Sequence, residues 1–255
     1  MKKIFGRVKL FFKVLAFLAN PIIFFRLDYK VLLDQIILIG PNSLLITMLT
    51  AFFISLVVSL QIVKEFLYLN ATGLVGSILA ISFIRELSPV LTSIIVIGKV
   101  GSFFTSEIAT MSVTEQIDAL FILGINPINY LLLPRILAVL VILPILNLFS
   151  LFTTFMSSSF ICSVIYSIDP SFFFQSLLYS FLYLDICKSL LKTLIFGLFI
   201  AIISCVWGIT THGGSKGVGL STTSSVVTSL VFVFILNFLL SYVMFNNLVS
   251  SFELL

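Results

Sequence analysis

The feature that most constrains this chain is an uncharged apolar run, LLITMLTAFFISLVVSLQIV, at residues 44–63. A helix rises about 1.5 Å per residue, so about 20 apolar residues cross the roughly 30 Å hydrocarbon core of a bilayer. Similar runs follow along the chain, and charged residues make up only 9% of it, against about 25% in soluble domains. The sequence therefore predicts an all-α protein with several membrane spans.

The residues before this run are basic and indicate the orientation of the chain. Positive charge accumulates on the cytoplasmic side of membrane proteins, so we expect the N-terminus inside. The same charge favours a membrane surface as partner and gives no reason to expect nucleic acid. The basic residues, opposed only by Asp28, are Lys2, Lys3, Arg7, Lys9, Lys13, Arg26 and Lys30.

An amphipathic pattern within residues 1–30 predicts a helix that lies in the membrane interface. Lys2, Lys9 and Lys13 fall on one side, and Pro21 is expected to end the helix. The alternative is a disordered basic tail. The apolar stripe on the other side comprises Ile4, Phe5, Val8, Phe11, Phe12 and Leu15.

The stretch 66–104 has two interpretations, because it is apolar except for Arg85, Glu86 and Lys99 and contains Pro89. One interpretation is a pair of short spans with a turn at Arg85 and Glu86. The other is a single long helix that is kinked by the proline and turns its charges towards the protein interior. The choice changes the side on which every later element lies, and periodicity leaves it open.

The uncharged run 136–168 is about 50 Å long as a helix, too long for one straight crossing. We expect a span that ends near residue 155, followed by an exposed serine-rich turn at residues 157–159. The segment that begins at Pro170 is predicted to be a short helix on the far surface. Two further spans are predicted at about 193–211 and 223–245.

Nothing in the sequence favours a site for covalent chemistry or metal binding. The loop HGGSKGVG, residues 212–219, lacks the spacing of a phosphate-binding loop, and His212 is the only histidine. Cys162, Cys187 and Cys205 are scattered through apolar segments, so neither a disulfide nor a metal site is predicted. We expect no cofactor and no catalytic residue.

Isolated charges within apolar runs are the strongest functional signal. A charge at mid-bilayer costs about 2.5–3.5 kcal/mol on insertion scales and usually faces a cavity or a partner. Arg85 and Glu86 point about 100° apart on a helix, so each needs another partner, and Lys192 is a candidate for Glu86. For Lys188 and Lys192, the alternative is that they snorkel to water at the end of a span.

Several motifs together resemble one family. They are IRELSPVLT (84–92), GKVGSFFTSEIATMSVTEQIDAL (98–120), GINP (124–127), PR (134–135) and KGVGLSTTSSVV (216–227). In this order they resemble the MlaE-type permeases, the membrane subunits of ABC lipid transporters. The family includes bacterial phospholipid permeases and the trigalactosyldiacylglycerol permease of plant plastid envelopes.

The resemblance implies an N-terminal interfacial helix (residues 1–30) and a permease domain (31–255) with five spans. It favours one long second helix kinked near Pro89, with Arg85 and Glu86 towards a central cavity. Residues 156–185 and the C-terminus are expected outside. A cytoplasmic coupling helix is expected at about 107–123, and the spans at about 44–63, 74–104, 133–155, 193–211 and 223–245.

The resemblance also implies the function and the partners. The chain would be a non-catalytic permease that moves phospholipids or glycolipids between membranes. It would form a homodimer with separate ATP-binding subunits and an outer substrate-binding protein with a mammalian-cell-entry (MCE) domain. The expected lipid-path residues are Arg85, Glu86, Lys192 and Asn237, the last in place of an acid common in relatives. The expected ATPase-coupling residues are Glu107, Thr114, Glu115, Gln116 and Asp118.

Two other functions are weighed against this one. A carrier or channel that is not driven by ATP would use the intramembrane charges for ions or protons. An intramembrane enzyme would depend on His212. We expect the protein in a plastid inner envelope membrane, with a bacterial inner membrane as the alternative.

Overall fold

A computed structural model of the chain describes residues 2–18, 29–179 and 183–245. Within these residues, five helices are long and apolar enough to cross a membrane, which confirms the predicted all-α membrane fold. The α-helices are α1 (Lys2–Leu18), α2 (Tyr29–Tyr68), α3 (Val75–Ser82), α4 (Ser88–Val96), α5 (Ser102–Val113), α6 (Gln116–Ile122), α7 (Leu133–Val164), α8 (Pro170–Tyr179), α9 (Tyr183–Ile209) and α10 (Gly214–Phe245).

Among the described residues, three π-helical segments interrupt the α-helices: Phe83–Leu87, Ile97–Gly101 and Ile128–Leu132. The chain is helical from Thr72 to Val113, through α3, α4 and α5, so there is no turn at Arg85 and Glu86. The two-span interpretation of this stretch is therefore wrong, and the single long helix is confirmed.

The chain forms two compact units, and several long helices contribute a segment to each. Of the described residues, one unit contains those within 1–43, 93–143 and 194–235, and the other contains those within 44–92, 144–193 and 236–245. The second unit has a continuous apolar core that includes Val63, Leu79, Phe83, Leu151 and Phe173. In it, α8 packs on α3 through Gly76, where an added Cβ would lie only 2.7 Å from the carbonyl oxygen of Phe173.

In the first unit, α1 packs on the end of α9. The guanidinium carbon of Arg7 lies 3.6 Å from the ring centroid of Trp207, and Arg7 Nε donates to Thr210 Oγ1 at 2.9 Å. Partial burial lowers the pKa of Arg7 by desolvation. The apolar Val8 and Phe12 stay exposed beside Lys9 and Lys13, as expected for an interfacial helix. The helix ends at Leu18, and Pro21, its predicted terminator, lies outside the described residues.

The predicted serine turn is wrong, because Ser157, Ser158 and Ser159 are buried inside α7. Helical serines in apolar surroundings can satisfy their hydroxyls on the preceding turn. Ser157 Oγ donates to Thr153 O at 2.8 Å and also forms a hydrogen bond with Ser55 Oγ of α2. Small polar residues thus hold two apolar helices together. A helix begins at Pro170, as predicted, and is α8 (Pro170–Tyr179); its position on the far surface stays a prediction.

The predicted helix at 107–123 is not one continuous helix. Residues 107–113 continue α5, and α6 begins only at Gln116. Glu115 lies between them in the left-handed region, with φ of 59°. The sequence hides this break, because the left-handed conformation is usually adopted by glycine and is unfavourable for a residue with a Cβ.

Gly208 gives a direct test of helix packing in the first unit. A Cβ at Gly208 of α9 would lie 2.7 Å from Cβ of Ile108 in α5. We expect Gly208→Ala to destabilise the protein by about 1–3 kcal/mol through overpacking. A Cβ added to the exposed helical Gly219 would have nothing within 4 Å, so Gly219→Ala is the control, expected to be neutral or stabilising by up to about 1 kcal/mol. Thermal stability of the detergent-solubilised protein checks this, and equal behaviour of the variants would contradict the close approach.

Candidate functional site

A polar cluster within the second unit unites most of the predicted lipid-path residues. We call Glu86, Lys192, Asn237 and Ser241 the Glu86 cluster. Glu86 Oε2 accepts from Lys192 Nζ at 3.1 Å and from Asn237 Nδ2 at 3.0 Å, and Glu86 Oε1 accepts from Ser241 Oγ at 2.6 Å. The predicted pairing of Glu86 with Lys192 is confirmed.

The Lys192 ammonium has a complete set of hydrogen-bond acceptors. Its side chain is 0% exposed, whereas that of Glu86 is 42% exposed. Lys192 Nζ donates to Glu86 Oε2, to Ser241 Oγ at 2.8 Å and to the carbonyl oxygen of Arg85 at 3.0 Å. An ammonium group carries three donors, and a buried charge must be paired and hydrogen-bonded to be tolerated. Lys192 is therefore a fixed part of the protein, and Glu86 is the accessible part.

Pro89 explains why the Arg85 carbonyl is available to a side chain. In an α-helix this carbonyl would accept from the N–H of residue 89, but proline has no N–H and its ring clashes with the carbonyl four residues earlier. The backbone adopts the π-helical segment Phe83–Leu87 at this point. Such segments are often found at functional sites. Lys192 Nζ supplies a donor to that carbonyl.

Arg85 uses a different partner, one that was not predicted from the sequence. Its Nη2 lies 2.8 Å from Asp185 Oδ2, and its Nε donates to the same oxygen at 3.1 Å. Asp185 and Lys192 lie seven residues apart, and therefore on one face of α9, with Ser189 between them. Ser189 accepts from Asn147 Nδ2 at 3.0 Å, and Asn147 Oδ1 accepts from Ser88 Oγ at 2.7 Å. This face of α9 is a polar seam within apolar helices.

Asn237 is only partly satisfied. Its amide nitrogen donates to Glu86, while its Oδ1 is buried and has no hydrogen-bond partner among the described residues. An amide can donate to an ionised Glu86, whereas a carboxylate at this position would place two like charges together. Asparagine therefore suits an ionised Glu86, which Lys192 already neutralises.

The predicted coupling residues lie in the first unit, but they differ in exposure and in contacts. Thr114, Glu115, Gln116 and Asp118 are exposed, whereas Ile117 is buried and anchors α6. The apolar end of α6 is also exposed, with Ile122 at 87%. A cleft of about 390 Å³ borders this segment, and we call it the α6 cleft. It is lined by residues of α5 and α6 and of the chain after α9, including Glu115, Asp118, Phe121, Thr211 and His212.

Glu107 does not share this exposed position. Its Oε2 lies 2.9 Å from Nη2 of the buried Arg135, which joins α5 to α7. The Arg135 guanidinium also lies 5.7 Å from the centroid of the Phe104 ring. The two charged groups are close enough for an ion pair, but the angles at Glu107 Oε2 do not fit a hydrogen bond. Glu107 thus contacts this chain's own Arg135, a partner that was not predicted from the sequence.

Comparison with known proteins gives the family. A family model described as "Permease MlaE" matches residues 32–243. The chain is 47% identical to "Probable ABC transporter permease protein ycf63" of Pyropia yezoensis, over 96% of this chain and 91% of that protein. It is 41% identical to "Protein TRIGALACTOSYLDIACYLGLYCEROL 1, chloroplastic" of Arabidopsis thaliana, over 87% of this chain and 63% of that protein.

Bacterial proteins are similar as well. A "Probable ABC transporter permease protein" of Rickettsia prowazekii is 37% identical over 92% of this chain and 91% of its own length. The family match covers the long motif block, the Glu86 cluster and all but the outermost residues of the five long apolar helices. The resemblance drawn from the motifs is confirmed. The chain is a multi-pass membrane protein that belongs to the MlaE family of ABC transporter permeases.

Proposed function

We propose that this protein is the non-catalytic permease subunit of an ABC transporter that moves phospholipids or glycolipids between membranes. Family membership supports an ATP-binding partner. One relative carries the name of a glycolipid. The observation that carries the lipid assignment is the Glu86 cluster, an accessible carboxylate held by a fully buried lysine within membrane-crossing helices.

The charges around Glu86 divide into accessible and buried members. Arg85 and Glu86 are partly exposed, at 25% and 42% of their side chains, while Asp185 and Lys192 are almost fully buried. These two carboxylates and two cations form two ion pairs, so the four side chains place no net charge among the apolar helices. We propose that Arg85 and Glu86 contact the lipid headgroup and that Asp185 and Lys192 position them.

Headgroup chemistry fits this division. Hydroxyl or ammonium donors of a headgroup bind a carboxylate such as Glu86, and a phosphate binds a guanidinium such as Arg85. Asn237 and Ser241 already donate to Glu86. A headgroup that reaches Glu86 would therefore exchange donors with these two side chains of α10. Exchange of donors allows release, which a transporter needs.

We further propose that the exposed turn from Thr114 to Asp118 docks the ATP-binding subunit. An exposed patch that combines acidic residues with apolar Phe121 and Ile122 is typical of a protein contact. Ile117 anchors α6, and Glu107 with Arg135 fixes α5 to α7. Closure of the ATPase on this segment would then move attached helices as a rigid body. Glu107 supports the segment in this proposal, and the exposed residues make the contact.

The remaining parts of the proposal concern assembly and location. Two copies of the chain would form the permease, and an MCE-domain protein would bind on the outer side. The plastid and bacterial relatives support either a plastid inner envelope membrane or a bacterial inner membrane. The red-algal and Arabidopsis relatives favour the plastid.

Glu86→Gln tests the headgroup contact. Loss of a charge-assisted contact is expected to lower lipid transfer about tenfold or more while the ATP-binding subunit still co-purifies. The assay is lipid transfer by the reconstituted complex. Glu65→Gln, at an exposed acid near the end of α2, is the matched control and should transfer lipid normally.

The same substitution leaves Lys192 buried without its anion, which is destabilising in itself. The double variant Glu86→Gln/Lys192→Gln removes both charges and separates stability from transport. We expect it to regain thermal stability and to remain defective in transfer. Normal transfer by either variant would remove Glu86 from the lipid path.

Asp118→Lys and Glu115→Lys test the docking segment. Reversal of an exposed charge at the contact should weaken co-purification of the ATP-binding subunit and reduce lipid-stimulated ATP hydrolysis, each severalfold. Asp34→Lys, at an exposed acid of α2, is the control. Unchanged co-purification and unchanged ATP hydrolysis in both variants would refute the assignment of this segment as the docking site. Transport of lipid or ions that requires no ATP-binding subunit would instead favour a carrier or channel that is not driven by ATP.

A further inference from the structure

A second cleft in the first unit contains a lysine that the proposed function does not use. The cleft has a volume of about 260 Å³, and we call it the Lys99 cleft. It lies between the first part of α2 and the π-helical segment Ile97–Gly101 with the start of α5. Its lining residues are Leu38, Ile39, Asn42, Ser43, Lys99, Val100 and Phe103.

Lys99 is a cation in mostly apolar surroundings. Its Nζ donates to the backbone carbonyl of Asn42. No ion pair joins it to a carboxylate in the part of the chain that the structure describes. An ammonium has three donors, so an anion in the cleft would find donors still available.

The hydroxyl of Ser43 is an independent observation that points to a ligand in this cleft. The residue is 1% exposed, and its Oγ has no hydrogen-bond partner among the described residues. Buried hydroxyls are normally hydrogen-bonded, so an orphan one needs an explanation. Ser43 directly follows Asn42, whose carbonyl accepts from Lys99. An anionic oxygen in the cleft would satisfy the hydroxyl and the ammonium together.

The position along α2 indicates which kind of anion is within reach. At 40 residues, α2 is about 60 Å long, about twice the hydrocarbon thickness. The apolar run that is predicted to cross the membrane begins at residue 44, directly after Pro41, Asn42 and Ser43, so we expect Asn42 and Ser43 at headgroup level. Leu38 and Phe103 in the same cleft are exposed and apolar. Such a combination of a cation at the interface and an apolar wall matches an anionic lipid.

We propose that the Lys99 cleft binds one anionic membrane lipid. Its phosphate or sulfonate headgroup contacts Lys99 and Ser43, and the start of an acyl chain lies against Val100 and Phe103. The cleft shares no residue with the Glu86 cluster. The inference also holds for a protein that transports something other than lipid, so its test is independent of the proposed function.

The test is native mass spectrometry of the protein released from nanodiscs that contain equal amounts of phosphatidylglycerol and phosphatidylcholine. We expect wild-type protein to retain phosphatidylglycerol preferentially. Lys99→Gln should reduce that preference about tenfold, the loss expected for one charge-assisted contact, and Lys99→Arg should keep it. Lys64→Gln, at an exposed lysine near the other end of α2, is the matched control and should behave as wild type.

Other outcomes overturn the proposal. Equal retention of the two lipids by wild-type protein would mean that Lys99 only snorkels to water, and this result does not depend on whether a variant folds. An unchanged preference in Lys99→Gln would place the anionic lipid elsewhere. If inorganic phosphate added to the released protein displaces phosphatidylglycerol as effectively as added phosphatidylglycerol does, the site binds a free anion and the lipid assignment is wrong.

Discussion

The buried ammonium of Lys192 is the constraint on which the second unit depends. A charge in the apolar part of a membrane protein is tolerated only when its donors are satisfied, and here the acceptors come from the π-helical segment and from α10. Pro89 leaves the Arg85 carbonyl open to one of these bonds, Glu86 provides the anion and Ser241 provides the third acceptor. The requirement to solvate one cation therefore fixes the π-helical segment, α9 and α10 against one another.

Burial separates residues that have a structural role from residues that a ligand can reach. Lys192 and Asp185 are buried and satisfied, whereas Glu86 and Arg85 keep an exposed fraction. In the first unit, Ile117 is buried while its neighbours in α6 are exposed. Lys99 donates to the backbone carbonyl of Asn42 and forms no ion pair with a carboxylate among the described residues. The three proposals rest on the exposed fractions of Glu86 and Arg85, on the exposed residues of α6 and on the Lys99 cleft.

Much of the fold could be predicted from the sequence, because apolar run length and isolated charges are local signals. The pairing of Glu86 with Lys192 was predicted because each is a charge within an apolar run and therefore needs a partner of opposite charge. Asp185 was missed because it precedes the predicted span at 193–211 and belongs to residues 156–185, which were expected outside the membrane, although Arg85 contacts it. The serine turn was wrong because serine is compatible with both a turn and a buried helix. The break at Glu115 was invisible because the residue gives no sign of a left-handed conformation.

We propose that this permease moves lipid only together with an ATP-binding subunit. The most direct test measures transfer of a fluorescent glycolipid or phospholipid between vesicles by the purified chain, with and without its co-purifying ATP-binding subunit and with and without ATP. We expect transfer only when the chain, the subunit and ATP are all present. Transfer of lipid by the chain alone, or a gradient-driven ion flux without the subunit, would contradict the claim.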